Sequence, residues 1–166
     1  MKIGIASDHR GFPLKSKLIN YLIKNNFEVI DFGTTSTAMV DYPEYAFKLG
    51  EAVARREIDF GIVTCGTGIG ISIACNKVRG VRCAKVDNVK EAELTRRDND
   101  ANVLALNGSM PLYRAKDIVD VFFKTNFTGV DRYINRINQI LEYENNSNLM
   151  LRIGKENKDQ KSKYEQ

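Results

Sequence analysis

The chain has little metal-binding potential, with one histidine and three cysteines among its 166 residues. One histidine cannot supply a histidine-rich metal site. The cysteines, Cys65, Cys75 and Cys83, are odd in number and follow no zinc-ligand spacing. This composition predicts a reduced, cytoplasmic protein without a structural metal.

Long apolar runs and blocks of like charge are also missing. No apolar stretch approaches the ~20 residues of a membrane span, so no membrane partner is expected. Residues 1–8 are predicted to form a strand, and they lack the long apolar segment and the cleavage site of a signal peptide. The formal net charge is +4, and the sequence contains no run of six like charges, so nucleic acid is not expected as a partner. A small anionic ligand suits this mild basic excess.

Apolar runs alternate with helical patterns along most of the chain. Predicted strands are 2–6, 27–32, 59–64, 81–86 and 103–106, and helical patterns lie between and after them. Such alternation predicts an α/β fold with a parallel sheet and helices on both faces. We therefore expect one domain over residues 1–144. Residues 145–166 are largely polar and predict a partly disordered tail.

The most informative segment is 60–73, which reads F-G-I-V-T-C-G-T-G-I-G-I-S-I. A buried strand is predicted to end at Cys65, and Gly66, Gly68 and Gly70 follow at alternate positions. We call residues 65–72 the cysteine–glycine loop. Nearly bare backbone can direct several N–H groups at one anion, and the N-terminus of a following helix favours a thiolate.

Other interpretations of this loop fit less well. A dinucleotide site needs G-x-G-x-x-G after the first strand, whereas this loop has G-x-G-x-G after the third. A P-loop needs a lysine, and none follows Gly70. A cysteine phosphatase needs an arginine about six residues after the cysteine, where Ile71 stands. A tight turn remains the structural alternative, although three alternate glycines exceed what one turn needs.

Two weaker features accompany the loop. Asp8 and His9 follow the first predicted strand, at the edge where ligands bind in parallel sheets. The alternative interpretation of Asp8 is a cap for the helix near Gly11. Arg132 and Arg136 are four residues apart and share a helix face, which is either solvated or suited to a phosphate.

Taken together, five segments resemble the ribose-5-phosphate isomerase B family, which includes the galactose-6-phosphate isomerase subunits. They are G-I-A-S-D-H-R-G at 4–11, V-D-Y-P-E-Y-A at 40–46, C-G-T-G-I-G-I-S-I-A-C-N-K-V-R-G-V-R at 65–82, N-D-A-N-V-L-A-L at 99–106 and R-Y-I-N-R-I at 132–137. The resemblance extends to about residue 143. It implies a Rossmann-like three-layer αβα sandwich with a five-stranded parallel sheet. It also implies a metal-independent aldose–ketose isomerase of sugar phosphates that needs no cofactor.

The resemblance also implies roles for individual residues. The implied catalytic residues are Asp8, Cys65, Thr67 and Asp98. The implied substrate-binding residues are His9, Tyr42, Gly66, Gly68, Gly70, Ser72, Asn99, Arg132 and Arg136. Cys65 would move a proton between C1 and C2 while backbone N–H groups hold the enediolate oxygens. In the family the two phosphate arginines come from the neighbouring subunit, which implies a homodimer, or a tetramer, with shared active sites.

Three positions depart from the family pattern. Asp98 stands where a ring-opening histidine is common, Ser109 lies where an arginine usually faces the phosphate, and Tyr133 replaces a usual histidine. The first expectation is interconversion of ribose 5-phosphate and ribulose 5-phosphate. The alternatives are isomerisation of a hexose 6-phosphate of the galactose or allose type, and non-catalytic binding of a sugar phosphate.

Overall fold

The computed structural model describes residues 1–146, and its strands and helices alternate as the sequence predicts. The elements are β1 (Lys2–Ser7), α1 (Phe12–Lys24), β2 (Glu28–Asp31), α2 (Tyr42–Ala54), β3 (Phe60–Cys65), α3 (Ile69–Cys75), β4 (Cys83–Lys85), α4 (Val89–Asn99), β5 (Val103–Asn107), α5 (Leu112–Lys124) and α6 (Asp131–Asn145). The five strands form one parallel sheet in the order β2-β1-β3-β5-β4. The predicted α/β architecture with a five-stranded parallel sheet is confirmed.

The chain divides into two compact units. Met1–Thr128 contains the whole sheet and helices α1 to α5. The second unit begins at Gly129 and contains α6. The predicted tail, 145–166, starts at the last residue of α6, and its residues from 147 onward lie outside the described part of the chain. None of the helices described is long and apolar enough to cross a membrane.

Alternating side chains of the strands build two cores, one on each face of the sheet. On one face, Ile3, Ile62 and Leu104 are fully buried against α1, α4 and α5. On the other face, Val63 and Ala105 pack against α2 and α3. Full burial of one such aliphatic side chain contributes about 1.5–3 kcal/mol, so the two cores hold the sheet between its helices. Cys65 belongs to the second core, on the side of α2 and α3.

Local signals explain where the elements begin and end. The side chain of Asn88 accepts a hydrogen bond of 2.9 Å from the N–H of Glu91, and the Glu91 carboxylate accepts one of 2.7 Å from the N–H of Asp87. This reciprocal capping fixes the start of α4. The structure has a shorter strand than the predicted 81–86: β4 spans Cys83–Lys85, its single neighbour is β5, and the N–H of Val86 also donates a hydrogen bond of 3.1 Å to the carbonyl of Ala105 in β5.

Tyr21 offers a test of how α1 is joined to α5. Its hydroxyl donates a hydrogen bond of 2.7 Å to Oδ1 of Asp120. Burial, together with this bond and the charge of Asp120, raises the pKa of Tyr21 to about 12. The neutral phenol is therefore favoured in the folded state. This stabilisation is complete below the ordinary pKa of 10 and is lost as the pH rises through about 12.

We expect Tyr21→Phe to lower the free energy of unfolding by about 0.5–1.5 kcal/mol at pH 7, the usual contribution of one hydrogen bond. Urea unfolding at pH 7 and at pH 11 measures the difference from the parent chain, which should shrink at the higher pH. The control is Tyr113→Phe, because Tyr113 lies on α5 with 67% of its surface exposed. An equal difference at both pH values would contradict the role of the phenol proton.

Candidate active site

Asp8, His9 and the cysteine–glycine loop lie at the carboxyl ends of β1 and β3, beside the end of β5. Ser7 of β1 pairs with Thr64 of β3, and Cys65 pairs with Asn107 of β5. Asp8 therefore follows β1 at the level where Cys65 ends β3. This is the edge at which open parallel sheets bind their ligands.

Cys65 is the last residue of β3 and is only 5% exposed. The N–H of Gly68 donates a hydrogen bond of 3.2 Å to its Sγ. This bond holds the sulfur against the turn of the cysteine–glycine loop. The carbonyl of Cys65 accepts a hydrogen bond of 2.8 Å from the N–H of Gly108, and this bond fixes the strand end against the turn after β5.

Several backbone N–H groups of the cysteine–glycine loop lack an acceptor. Those of Gly68 and Ile69 bind Cys65 Sγ and Thr67 Oγ1. Within residues 1–146 four others donate no hydrogen bond: Gly66, Thr67, Gly70 and Ile71. Ile71 is fully buried, and buried N–H groups without an acceptor are rare in proteins. An oxygen anion is the acceptor that such a set of donors would bind.

Two glycines of the loop, Gly68 and Gly70, allow close approaches that a side chain would prevent. Gly68 has φ +79°, and a Cβ there would lie 2.9 Å from the carbonyl carbon and oxygen of Leu106. A Cβ at Gly70 would lie 2.8 Å from Cζ of Tyr42, so the Tyr42 ring covers this residue. The loop is therefore more than a tight turn, because its bare backbone is in contact with other segments.

Asp8 and His9 link the loop after β1 to its surroundings. Asp8 is 5% exposed, and its Oδ1 accepts hydrogen bonds of 2.9 Å from the N–H groups of both Arg10 and Gly11. One carboxylate oxygen thus has the capping role that the sequence allowed. Nδ1 of His9 lies 3.1 Å from the carbonyl oxygen of Val40 and 3.2 Å from its nitrogen. The imidazole therefore connects this loop to the segment that leads into α2 and Tyr42.

Thr67 and Ser72 bond to the first turn of α3. Oγ1 of the exposed Thr67 accepts a hydrogen bond of 3.2 Å from the N–H of Ile69. Oγ of the buried Ser72 donates one of 2.7 Å to the carbonyl of Ile69. Both hydroxyl groups therefore stabilise the cysteine–glycine loop where it enters α3.

Asp98 and Asn99 lie at the opposite edge of the sheet from Cys65. They end α4 and precede β5, whose first residue, Val103, pairs with Gly61 near the start of β3. The length of β5 corresponds to about 13 Å. One copy of the chain therefore does not bring Asp98 or Asn99 to its own Cys65.

The segment around Asp98 and Asn99 is firmly held. Arg97 donates two hydrogen bonds to Asp98, of 2.7 Å to Oδ1 and 3.1 Å to Oδ2. Asp100 has φ +47° and accepts from Nη1 of Arg96 at 2.6 Å and from Nη2 of Arg82 at 2.9 Å. These ion pairs fix the backbone that presents Asn99.

Arg132 and Arg136 lie on α6, in the second unit. Both are exposed, and their guanidinium carbons lie 4.7 Å and 5.9 Å from the centre of the Tyr133 ring. The two arginines share one helix face, as their spacing predicts. No residue of α6 is buried, and three large apolar side chains are exposed on it: Ile134, Ile140 and Tyr143.

A cavity of about 190 Å³ opens beside Asn107 at the carboxyl edge of the sheet. Its lining residues are Asp87, Asn107, Ser109, Met110, Pro111 and Arg114. Arg114 therefore supplies a guanidinium to the cavity that contains Ser109. Among residues 1–146 no group of three or more histidine, cysteine or acidic side chains is arranged to hold a metal ion.

Sequence reasoning missed two arginines, Arg10 and Arg114. Arg10 stands between His9 and Gly11 in a segment that had already been singled out, and a Cβ at Gly66 would lie 2.9 Å from its Cδ. The available signal was its place immediately after two candidate site residues. Arg114 lies in the first turn of α5, seven residues after the end of β5, and had no such signal.

Comparison with known proteins gives consistent matches over nearly the whole described chain. Residues 3–140 match the family model described as Ribose/Galactose Isomerase. Ribose-5-phosphate isomerase B of Escherichia coli is 42% identical over 148 residues, which cover 89% of this chain and 99% of that protein. The structure of Clostridium thermocellum ribose-5-phosphate isomerase B superposes with a TM-score of 0.85 at 49% identity, covering 87% and 98% of the two chains. That of the Mycoplasma genitalium enzyme with bound ribulose 5-phosphate gives 0.83 at 40% identity, covering 88% and 97%.

Gly68→Ala tests the turn that directs an N–H group at Cys65. The left-handed conformation alone costs a residue with a side chain roughly 1–2 kcal/mol. The control is Gly80→Ala, because Gly80 has the same φ of +79° and an added Cβ there has no atom within 4 Å. We expect Gly68→Ala to lose a further ~1–3 kcal/mol, since its methyl group meets the Leu106 backbone. Urea unfolding of both variants measures this, and equal losses would show that the close approach is unimportant.

Proposed function

The chain belongs to the ribose/galactose isomerase family, and from this membership and the site geometry we propose that it interconverts ribose 5-phosphate and ribulose 5-phosphate. The observation that carries the proposal is the thiol of Cys65, bound by the Gly68 N–H in a loop where four other N–H groups have no acceptor within residues 1–146. The names of its relatives support this pentose phosphate as the substrate. All three cysteines are free thiols, as a cytoplasmic location requires.

The proposed reaction is a proton transfer between neighbouring carbons. The Cys65 thiolate takes the proton from C2 of the open-chain aldose, and the C–H electron pair forms a C1=C2 bond while O1 becomes negative. The unpaired N–H groups of the cysteine–glycine loop bind this enediolate. A proton then passes from O2 to O1, and the thiol returns its proton to C1. One preorganised donor to such an oxygen contributes about 10²- to 10³-fold in rate.

We expect Cys65→Ala and Cys65→Ser to abolish turnover while ribose 5-phosphate still binds, because neither variant retains a thiolate base. Ketose formation measures turnover on a panel of pentose and hexose phosphates, and calorimetry measures binding. Cys83→Ala is the matched control, since Cys83 is also free but lies in β4.

Full activity of both Cys65 variants would exclude this thiol as the base. Binding by the parent chain without turnover on any sugar would instead favour a non-catalytic protein, and turnover only of hexose phosphates would correct the substrate.

We further propose that two copies of the chain complete each site. A single copy holds Asp98 and Asn99 at the edge of the sheet away from Cys65. Helix α6 buries none of its residues and exposes its apolar side chains, which suits an interface between copies. In the proposed homodimer the second copy supplies Asn99, the phosphate arginines Arg132 and Arg136, and Asp98. As an ionised carboxylate, Asp98 would accept a proton during ring opening.

Mixing two inactive variants tests this shared site. Cys65→Ala lacks the base, and Asn99→Ala lacks a substrate contact that the other copy would supply. In a hybrid dimer one of the two sites has both residues, and random pairing should restore about a quarter of the parent activity. Ketose formation is measured after co-refolding, and each variant alone is the control. A mixture that pairs but stays inactive would place Cys65 and Asn99 of one site on the same copy.

A further inference from the structure

Arg10 lies against Gly66, the residue that follows Cys65. A methyl group added at Gly66 would come within 2.9 Å of Cδ of Arg10 and within 3.3 Å of its Nη1. The side chain therefore crosses the bare Cα of Gly66, and a guanidinium nitrogen lies at the start of the cysteine–glycine loop.

The backbone of Arg10 is fixed on two sides. Its N–H donates a hydrogen bond of 2.9 Å to Oδ1 of the buried Asp8. Its carbonyl oxygen lies 2.8 Å from the place that a Cβ of Gly108 would occupy, in the turn that also bonds to the carbonyl of Cys65. The start of the Arg10 side chain is thus held by the same contacts that fix the end of β3.

The charge of Arg10 has no partner in the described chain. Its guanidinium makes no hydrogen bond or ion pair with residues 1–146, whereas Arg55, Arg82 and Arg96 each pair with a carboxylate. An arginine does not lose its proton in proteins, so this charge is constant with pH. The guanidinium therefore lies against Gly66, whose N–H is one of the loop donors without an acceptor within residues 1–146, and an anion there would satisfy both groups.

We propose that Arg10 is a further catalytic residue, whose guanidinium binds the oxygen that becomes negative when Cys65 removes the substrate proton. This inference rests on the proposed isomerase function and adds one donor to its mechanism. Because the charge on that oxygen exists only after proton removal, the interaction lowers the barrier more than it strengthens substrate binding. A contact with the phosphate group would have the opposite kinetic effect, since the phosphate is charged throughout.

Steady-state kinetics separates these two effects. We expect Arg10→Ala to lower kcat by about 10²- to 10³-fold while KM changes little, as for loss of one oxyanion donor. Arg10→Lys should recover part of the rate, because it restores the charge without the planar geometry. Inhibition by inorganic phosphate should be unchanged. A raised KM with an unchanged kcat and weaker inhibition by phosphate would overturn the proposal and assign Arg10 to the phosphate group. Unchanged kinetics would overturn the proposal and leave Arg10 without a role in the reaction.

A second measurement is independent of turnover. Cys65 is alkylated with iodoacetate, which is anionic, and with iodoacetamide, which is neutral, and the modified peptide is quantified by mass spectrometry. If the Arg10 charge acts at the thiol, Arg10→Ala should lower the ratio of the iodoacetate rate to the iodoacetamide rate several-fold. Lys17→Ala is the control, because Lys17 is an exposed cation on α1, and it should leave the ratio unchanged.

The two measurements fail in different ways. A parent chain that isomerises no sugar phosphate would contradict the proposed function, and the alkylation ratio would still show whether Arg10 acts on an anion at the loop. If the parent chain turns over its substrate and Arg10→Ala changes neither kcat nor the ratio of the two alkylation rates, only the role of Arg10 is contradicted. Urea unfolding should give the same midpoint for Arg10→Ala and the parent, because the side chain makes no hydrogen bond within residues 1–146.

Discussion

The left-handed turn at Gly68 is the constraint on which the whole site depends. Its N–H binds the Cys65 sulfur, and its carbonyl accepts the N–H of Ser72 at 3.3 Å and so begins α3. Its bare Cα rests against the backbone of Leu106, where a Cβ would come within 2.9 Å. One residue therefore orients the thiol, starts the next helix and joins β3 to β5. Because only glycine combines this φ with this approach, these three functions cannot be varied separately.

The arrangement of strands explains why one copy of the chain holds only part of the proposed site. In a parallel sheet, residues that follow a strand and residues that precede its neighbour lie at opposite edges. Cys65 follows β3, whereas Asn99 precedes β5, so the sheet separates two residues that the family resemblance assigns to one site. This separation is a property of the topology and cannot be relieved by loop movement. In the proposed homodimer a second copy supplies the missing groups, and the exposed apolar side chains of α6 support that proposal.

Much of the fold was predictable because burial leaves a direct pattern in the sequence. The apolar run that ends at Cys65 is buried on both faces of the sheet, and the glycines after it predict the turn. The contacts across the site had no such pattern. The Tyr42 ring covers Gly70, and Arg10 crosses Gly66, through approaches between loops that are far apart in sequence. The hydrogen bonds of Asp8 join residues two and three positions apart, so the sequence could suggest them. The Arg10 guanidinium has no partner within residues 1–146, which depends on every segment that folds around it and has no local signal.

The balance of charge around Cys65 gives Arg10 a physical reason to be there. Asp8 is nearly buried at the end of the neighbouring strand. Two N–H groups bind one oxygen of Asp8, and the Gly68 N–H binds the sulfur of Cys65. These three N–H groups are therefore already engaged within the chain. The negative charge that develops on the substrate then needs its own compensation, for which the remaining N–H groups of the loop offer only partial charges. In the proposed mechanism the full positive charge comes from the guanidinium that lies against Gly66.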